Sequence, residues 1–222
     1  MKVKEVLRRI DHTQLKPMAS KSDIIKLCDE AKRYGFYAVC VNPYYVPLAS
    51  KLLDGTDIKI SSVVGFPLGA TFTEVKTAEA ERSIRFGASE IDMVMNISAF
   101  KSGDLEYVKR DIKEVKERIG DVVLKVIIEC CYLTDDEKIL AAKICEEAGA
   151  DYVKTSTGFG PGGATLEDVR LLRKTLSPKV KIKAAGGIRT FEQAVKFIEA
   201  GADRIGTSSG VKIAEEGFRS GE

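Results

Sequence analysis

The chain has 222 residues, with 35 lysines and arginines against 33 aspartates and glutamates, and the resulting net charge of +2 argues against nucleic-acid or membrane-surface binding that rests on bulk charge. A composition of 44% hydrophobic and 31% charged residues suits a globular core, and the apolar runs are too short to span a bilayer. Five cysteines without a CxxC pair, and a single histidine, His12, offer little for a disulfide framework or a cysteine–histidine zinc site. Met1 to Glu5 lacks the apolar stretch of a secretory signal, so a cytoplasmic protein is expected.

Eight strand-like runs occur in order, at 9–13, 37–42, 58–65, 90–96, 122–129, 151–155, 180–185 and 203–207. Helical stretches at 21–34, 73–87, 102–119, 134–149, 165–176 and 190–200 lie between them. Thr134 with Glu137, and Thr190 with Gln193, have capping-box spacing, and Gly35, Gly55, Gly87, Gly149 and Gly201 stand where helices should stop. Eight βα units without a low-complexity linker predict one α/β domain over 1–222, a closed (β/α)8 TIM barrel, in preference to an open doubly wound sheet.

Parallel strands covered on both faces should be nearly all apolar, yet several of these carry charge in the middle. Side chains alternate along a strand, so the apolar set shows which way the charges point. In the first run the lone His12 reads as a structural hydrogen-bonder. In the second, Cys40 and Asn42 point inward, Cys40 as a pocket wall or an inert thiol. Ile91, Met93 and Met95 take the outer face of the fourth run and send Asp92, Val94 and Asn96 inward. Val122, Leu124, Val126 and Ile128 do the same for Lys125 and Glu129. In the sixth and seventh runs Tyr152, Lys154, Ser156, Lys181 and Lys183 point inward. One aspartate and several lysines thus converge inside one barrel. For any one of them, compensated charge at a barrel mouth is as good a reading. Together, with Lys154 and Lys183 near strand C-termini, they point to chemistry, because burial beside a second ammonium helps make a lysine a neutral nucleophile.

A separate signal concerns phosphate. Gly186, Gly187 and Arg189 come after the seventh run, and Gly206, Ser208 and Ser209 end the eighth or come after it. Loops after strands seven and eight are the frequent phosphate site of such barrels, through backbone N–H groups and helix N-termini. Thr157 and Gly158, opening a glycine-rich loop after the sixth run, form a further wall.

These segments resemble the signatures of deoxyribose-phosphate aldolases. The resemblance rests on Ile10-Asp11-His12-Thr13, Val39-Cys40-Val41-Asn42-Pro43, Val64-Gly65-Phe66-Pro67-Leu68-Gly69, Glu90-Ile91-Asp92-Met93-Val94 and Leu124-Lys125-Val126-Ile127-Ile128-Glu129, with Val153-Lys154-Thr155-Ser156-Thr157-Gly158, Lys183-Ala184-Ala185-Gly186-Gly187-Ile188-Arg189-Thr190 and Arg204-Ile205-Gly206-Thr207-Ser208-Ser209-Gly210, in order from about residue 9 to 213. It implies a class I aldolase that cleaves 2-deoxy-D-ribose 5-phosphate to D-glyceraldehyde 3-phosphate and acetaldehyde, with no metal or other cofactor. By motif, Lys154 is the Schiff-base lysine, Lys183 tunes it, Asp92 relays protons, and Lys125, Asp11 and Cys40 are supports. Phe159 stands where some members of the family have a lysine, which puts more weight on backbone amides and Arg189 for the phosphate. The expected partner is a small phosphorylated sugar, with no nucleic acid or membrane, in a homodimer or homotetramer. Another Schiff-base sugar-phosphate aldolase and a non-catalytic phosphometabolite-binding barrel remain alternatives.

Overall fold

A computed structural model describes residues 1–220 of the chain. Eight strands run in parallel and close on themselves: β1 (Ile10–Gln14), β2 (Ala38–Val41), β3 (Lys59–Val64), β4 (Glu90–Val94), β5 (Val123–Ile127), β6 (Tyr152–Lys154), β7 (Lys181–Ala185) and β8 (Arg204–Thr207). The last strand pairs with the first, Ile10 opposite Ile205 and Asp11 opposite Gly206, which closes the barrel and rules out the open sheet.

The six expected helices are α2 (Lys21–Tyr34), α4 (Thr73–Arg85), α6 (Leu105–Ile119), α7 (Asp135–Glu147), α8 (Leu166–Thr175) and α9 (Phe191–Glu199). Each forms because an apolar stripe recurs at helical spacing; in α6 it is Val108, Ile112, Val115 and Ile119, all buried. Both expected capping boxes are present, with Thr134 accepting from the Glu137 amide and Thr190 from the Gln193 amide. Gly35 ends α2 in the left-handed conformation, φ 68°. Four further helices were not read from the sequence: α1 (Val3–Leu7), α3 (Val46–Leu52), α5 (Ile97–Lys101) and α10 (Gly210–Ser220). The first three are too short to show a period. In α10, Gly210 and Gly217 weaken the intrinsic signal, and packing of Ile213 and Ala214 compensates.

Between strands and helices Ile91, Met93, Leu124, Val126, Val153 and Ile182 are fully buried, as strand alternation requires. Two inward assignments fall at strand ends. Lys181 is exposed at the start of β7, its ammonium 5.7 Å from the Tyr152 ring centre, because the strand begins there at the open lower end of the barrel. The fourth strand ends at Val94, and Asn96 instead caps α5, its side chain accepting from the Ala99 amide at 3.1 Å. Outside the barrel, fully buried Lys76 of α4 donates to Asp111 of α6 at 2.5 Å and to the Val94 carbonyl at 3.1 Å. Burial lowers the Lys76 pKa, and the Asp111 carboxylate opposes that loss of charge.

Candidate active site

Asp92 sits in the middle of β4, opposite Lys125 of β5 in the strand register. Its Oδ1 accepts from Lys125 Nζ at 2.7 Å and from Ser61 Oγ of β3 at 2.8 Å. Its Oδ2 accepts from Lys154 Nζ at 2.8 Å and from Lys183 Nζ at 2.7 Å. Lys154 and Lys183 are direct register partners on adjacent strands, which is why their side chains reach one oxygen. Burial alone would favour the neutral acid, but Lys125, Lys154 and Lys183 hold Asp92 well below the usual carboxylate range. Lys183 also donates to Asp11 of β1. Burial works against its ammonium, and Asp11 and Asp92 more than reverse that, so Lys183 stays above the ordinary lysine range.

Sequence reasoning missed the lower half of this network. Arg204 of β8 donates to Asp11 at 2.8 Å and to Glu90 at 3.2 Å, and its guanidinium lies 3.6 Å from the Tyr37 ring centre. Glu90 also sits 2.7 Å from Lys125. Both residues stand within the family-like motifs, and strand parity with Asp92 and Gly206 was the signal that would have placed them inside. Buried charges of this kind persist only when paired, and every member here has an opposite charge in contact.

Above the network the side chains give way to space. A cavity of about 330 Å³ opens at the C-terminal ends of the strands, with Lys154 in its lining. The expected residues Thr157, Gly158, Gly186, Gly187, Arg189, Gly206, Ser208 and Ser209 all line it too. So do Thr13 and Gln14 at the end of β1 and Lys16 just after it, of which only Thr13 stands in a quoted motif. Around this cavity the backbone packs closely at two glycines. A side chain at Gly163 would strike the Gly186 carbonyl at 2.4 Å, and one at Gly206 would press on Lys183 Cε at 3.0 Å. The loops are tied to each other: Thr207 Oγ1 donates to the Ile188 carbonyl at 2.7 Å, and the Ala164 amide to the Gly186 carbonyl at 3.0 Å. The amides of Arg189 and Thr190 are already bonded to Gln193 Oε1, at 2.8 and 3.2 Å, so the start of α9 caps itself.

The remaining expected residues fall outside the chemistry or beside it. Cys40 is buried within the barrel against Leu15 and Val63, and burial pushes its thiol above the usual range. His12 faces outward, 2.7 Å from Glu30 of α2; burial lowers its pKa and the Glu30 contact opposes that. Buried Glu129, in left-handed conformation at φ 52°, leaves the lysines and accepts from the Thr157 amide at 3.2 Å. Phe159 is half-exposed and stacks edge-on against Phe66, ring centres 5.3 Å apart.

A parallel eight-stranded barrel with a lysine–carboxylate network opening at its C-terminal end is the architecture of an aldolase-type barrel enzyme. The model of the DeoC/LacD family of aldolases matches residues 6–216. The deoxyribose-phosphate aldolases of Thermococcus gammatolerans and Thermococcus kodakarensis are each 62% identical to this chain, covering 98% and 97% of it and 98% of their own lengths. Among solved structures, an aldolase designated QR15 superposes with TM-score 0.94 at 48% identity, covering 97% of both chains. The deoxyribose-phosphate aldolase of Aeropyrum pernix, described as tetrameric, superposes with TM-score 0.90 at 37% identity, covering 99% of this chain and 93% of that one. The chain belongs to the DeoC/LacD aldolase family.

Proposed function

We propose that this protein is a deoxyribose-phosphate aldolase, cleaving 2-deoxy-D-ribose 5-phosphate reversibly to D-glyceraldehyde 3-phosphate and acetaldehyde with Lys154 as the nucleophile. The observation that carries the assignment of Lys154 is its place: it alone among the interior lysines lines the cavity, at the C-terminal end of β6. Its neutral amine attacks the C1 aldehyde of the open-chain sugar, and the carbinolamine loses water to form an iminium. Removal of the C3 hydroxyl proton then breaks the C2–C3 bond. The electron pair flows into the iminium, and glyceraldehyde 3-phosphate leaves. Protonation of the enamine at C2 and hydrolysis return acetaldehyde and the free lysine. Asp92, kept ionised by its lysines, is the acceptor through which protons pass, and Lys183 supplies the neighbouring positive charge. Lys125 and Asp11 hold these two groups in place.

The phosphate is assigned to the backbone at Gly186, Gly187, Ser208 and Ser209, with Thr157, Gly158, Gly206 and Arg189 completing the wall. Because the start of α9 is self-capped, the glycine backbone and the α10 end carry most of this binding. Exposed Met18, Tyr44, Leu68 and Phe72, in the connections that follow β1, β2 and β3 at the same end of the barrel, support a homodimer or homotetramer.

Incubation with acetaldehyde and borohydride should add one ethyl group, and peptide mapping should place it on Lys154. An adduct on Lys183 or Lys125 would overturn the assignment. Failure to form any adduct would favour a binding protein over an enzyme.

A further inference from the structure

The buried network inside the barrel carries an unbalanced charge. The three carboxylates Asp11, Glu90 and Asp92 face the four cations Lys125, Lys154, Lys183 and Arg204. With every group ionised, one positive charge is left over in a region with little water to screen it. The network becomes neutral when one lysine releases a proton.

The contacts say which one. Lys125 lies 2.7 Å from both Glu90 and Asp92. Lys183 contacts both Asp11 and Asp92, and Arg204 lies 2.8 Å from Asp11 and 3.2 Å from Glu90. Lys154 meets a single carboxylate, Asp92, at an oxygen it shares with Lys183. It is also the only one of the four cations that lines the cavity, where its proton has a way out.

We infer that Glu90 and Arg204, at the far end of the network from the cavity, are positioning residues that set the protonation of Lys154 by charge count without touching substrate. This rests on Lys154 being the nucleophile. The other groups facing the network leave the count unchanged. Cys40 of β2 and Tyr152 of β6 are both pushed by burial towards their neutral forms. Ser61 of β3 is a neutral donor to Asp92, and Glu129, beyond β5, is bonded to Thr157 instead. Arg204 is a fixed charge: its guanidinium donates to the Tyr152 hydroxyl at 3.2 Å and stacks on Tyr37.

The test is the pH dependence of acetaldehyde trapping by borohydride. In this step the Lys154 nitrogen lone pair attacks the aldehyde carbon, water leaves, and hydride reduces the imine to an N-ethyl amine. Trapping should rise with pH as Lys154 becomes neutral. Glu90 and Arg204 lie on the order of 10 Å from Lys154, where removing one charge at an effective dielectric near 20 moves the midpoint by about one pH unit. Arg204→Gln should move the midpoint up and Glu90→Gln should move it down. The double variant should return to the wild-type midpoint, and Arg204→Lys, which keeps the charge, should hold it. Lost packing would lower yield or stability in every variant but would not give shifts of opposite sign that cancel. If Arg204→Gln does not fold, Glu90→Gln decides by its sign. Shifts in one direction, or none, overturn the inference. Wild-type trapping at a residue other than Lys154 would instead overturn the function proposed above.

Discussion

A lysine attacks carbonyl carbon only as the neutral amine, and a second ammonium nearby helps remove its proton. Lys183 fits that part, because Asp11 and Asp92 keep it charged against burial and it shares an Asp92 oxygen with Lys154. Like charges at 4–6 Å and an effective dielectric near 20 repel by roughly 3–4 kcal/mol, so Lys183→Leu should lower turnover at pH 7 by on the order of 100-fold. Activity should climb again towards pH 10, where a lysine becomes neutral unaided. Steady-state rates from pH 6 to 10, with circular dichroism to confirm folding, check this. A loss that stays flat with pH would make Lys183 a direct proton donor, and wild-type activity at pH 7 would exclude both roles.

At the level of the elements, the site is made by the loops that leave the C-terminal ends of the strands. The β7–α9 and β8–α10 connections are locked by the Thr207–Ile188 hydrogen bond, and the Gly163–Gly186 approach brings the β6–α8 loop onto the same floor. An anion held there by backbone N–H groups would be repelled by a carboxylate placed among them. Ser208→Asp should therefore raise KM for 2-deoxyribose 5-phosphate by at least about tenfold, since even one unfavourable charge contact of about 1.4 kcal/mol has that effect. Cleavage of unphosphorylated deoxyribose should change far less. Equal losses on the two substrates would put the phosphate elsewhere. The elements also show where a single sequence stops being informative. Long amphipathic helices such as α6 declare themselves by period, whereas α3 and α5 form because the barrel gives them a surface to pack against.

For the whole molecule, the buried charges set the pH range of the fold. Asp11 and Asp92 are more acidic when folded than when unfolded, so their contribution is complete above about pH 4 and is lost as pH falls below it. Lys125 and Lys183 are less acidic when folded, so theirs is complete below about pH 10 and is lost only as pH rises past it. His12 is more acidic when folded, so the unfolded ring binds its proton first, and a smaller loss begins as pH falls through about 6.5. Denaturation midpoints measured from pH 3 to 9 should show two steps on the acid side. His12→Gln, which can keep a hydrogen bond to Glu30, should remove the upper step and leave the lower one. A single step, or an upper step that survives the substitution, would assign the titration to other groups.

The eight strands, the six longer helices and the inward direction of Asp92, Lys125, Lys154 and Lys183 were legible in the sequence. Periodicity and strand parity are local properties, fixed by backbone geometry. Two parity assignments fell at strand ends: Lys181, on the side of Tyr152, is exposed at the open base of β7, and Asn96, just past β4, caps α5 instead. Strand limits depend on neighbouring strands, which parity does not report. Lys125 beside Asp92 was expected from the motifs, but the pairs made by Asp11 were not legible. Asp11 meets Lys183 across 172 positions of sequence and Arg204 across 193, and only closure of β8 onto β1 brings them together. The sequence by itself therefore determined which residues face the barrel interior. The tertiary structure decided which of them share a charge, because electrostatic coupling depends on distance in space and not along the chain.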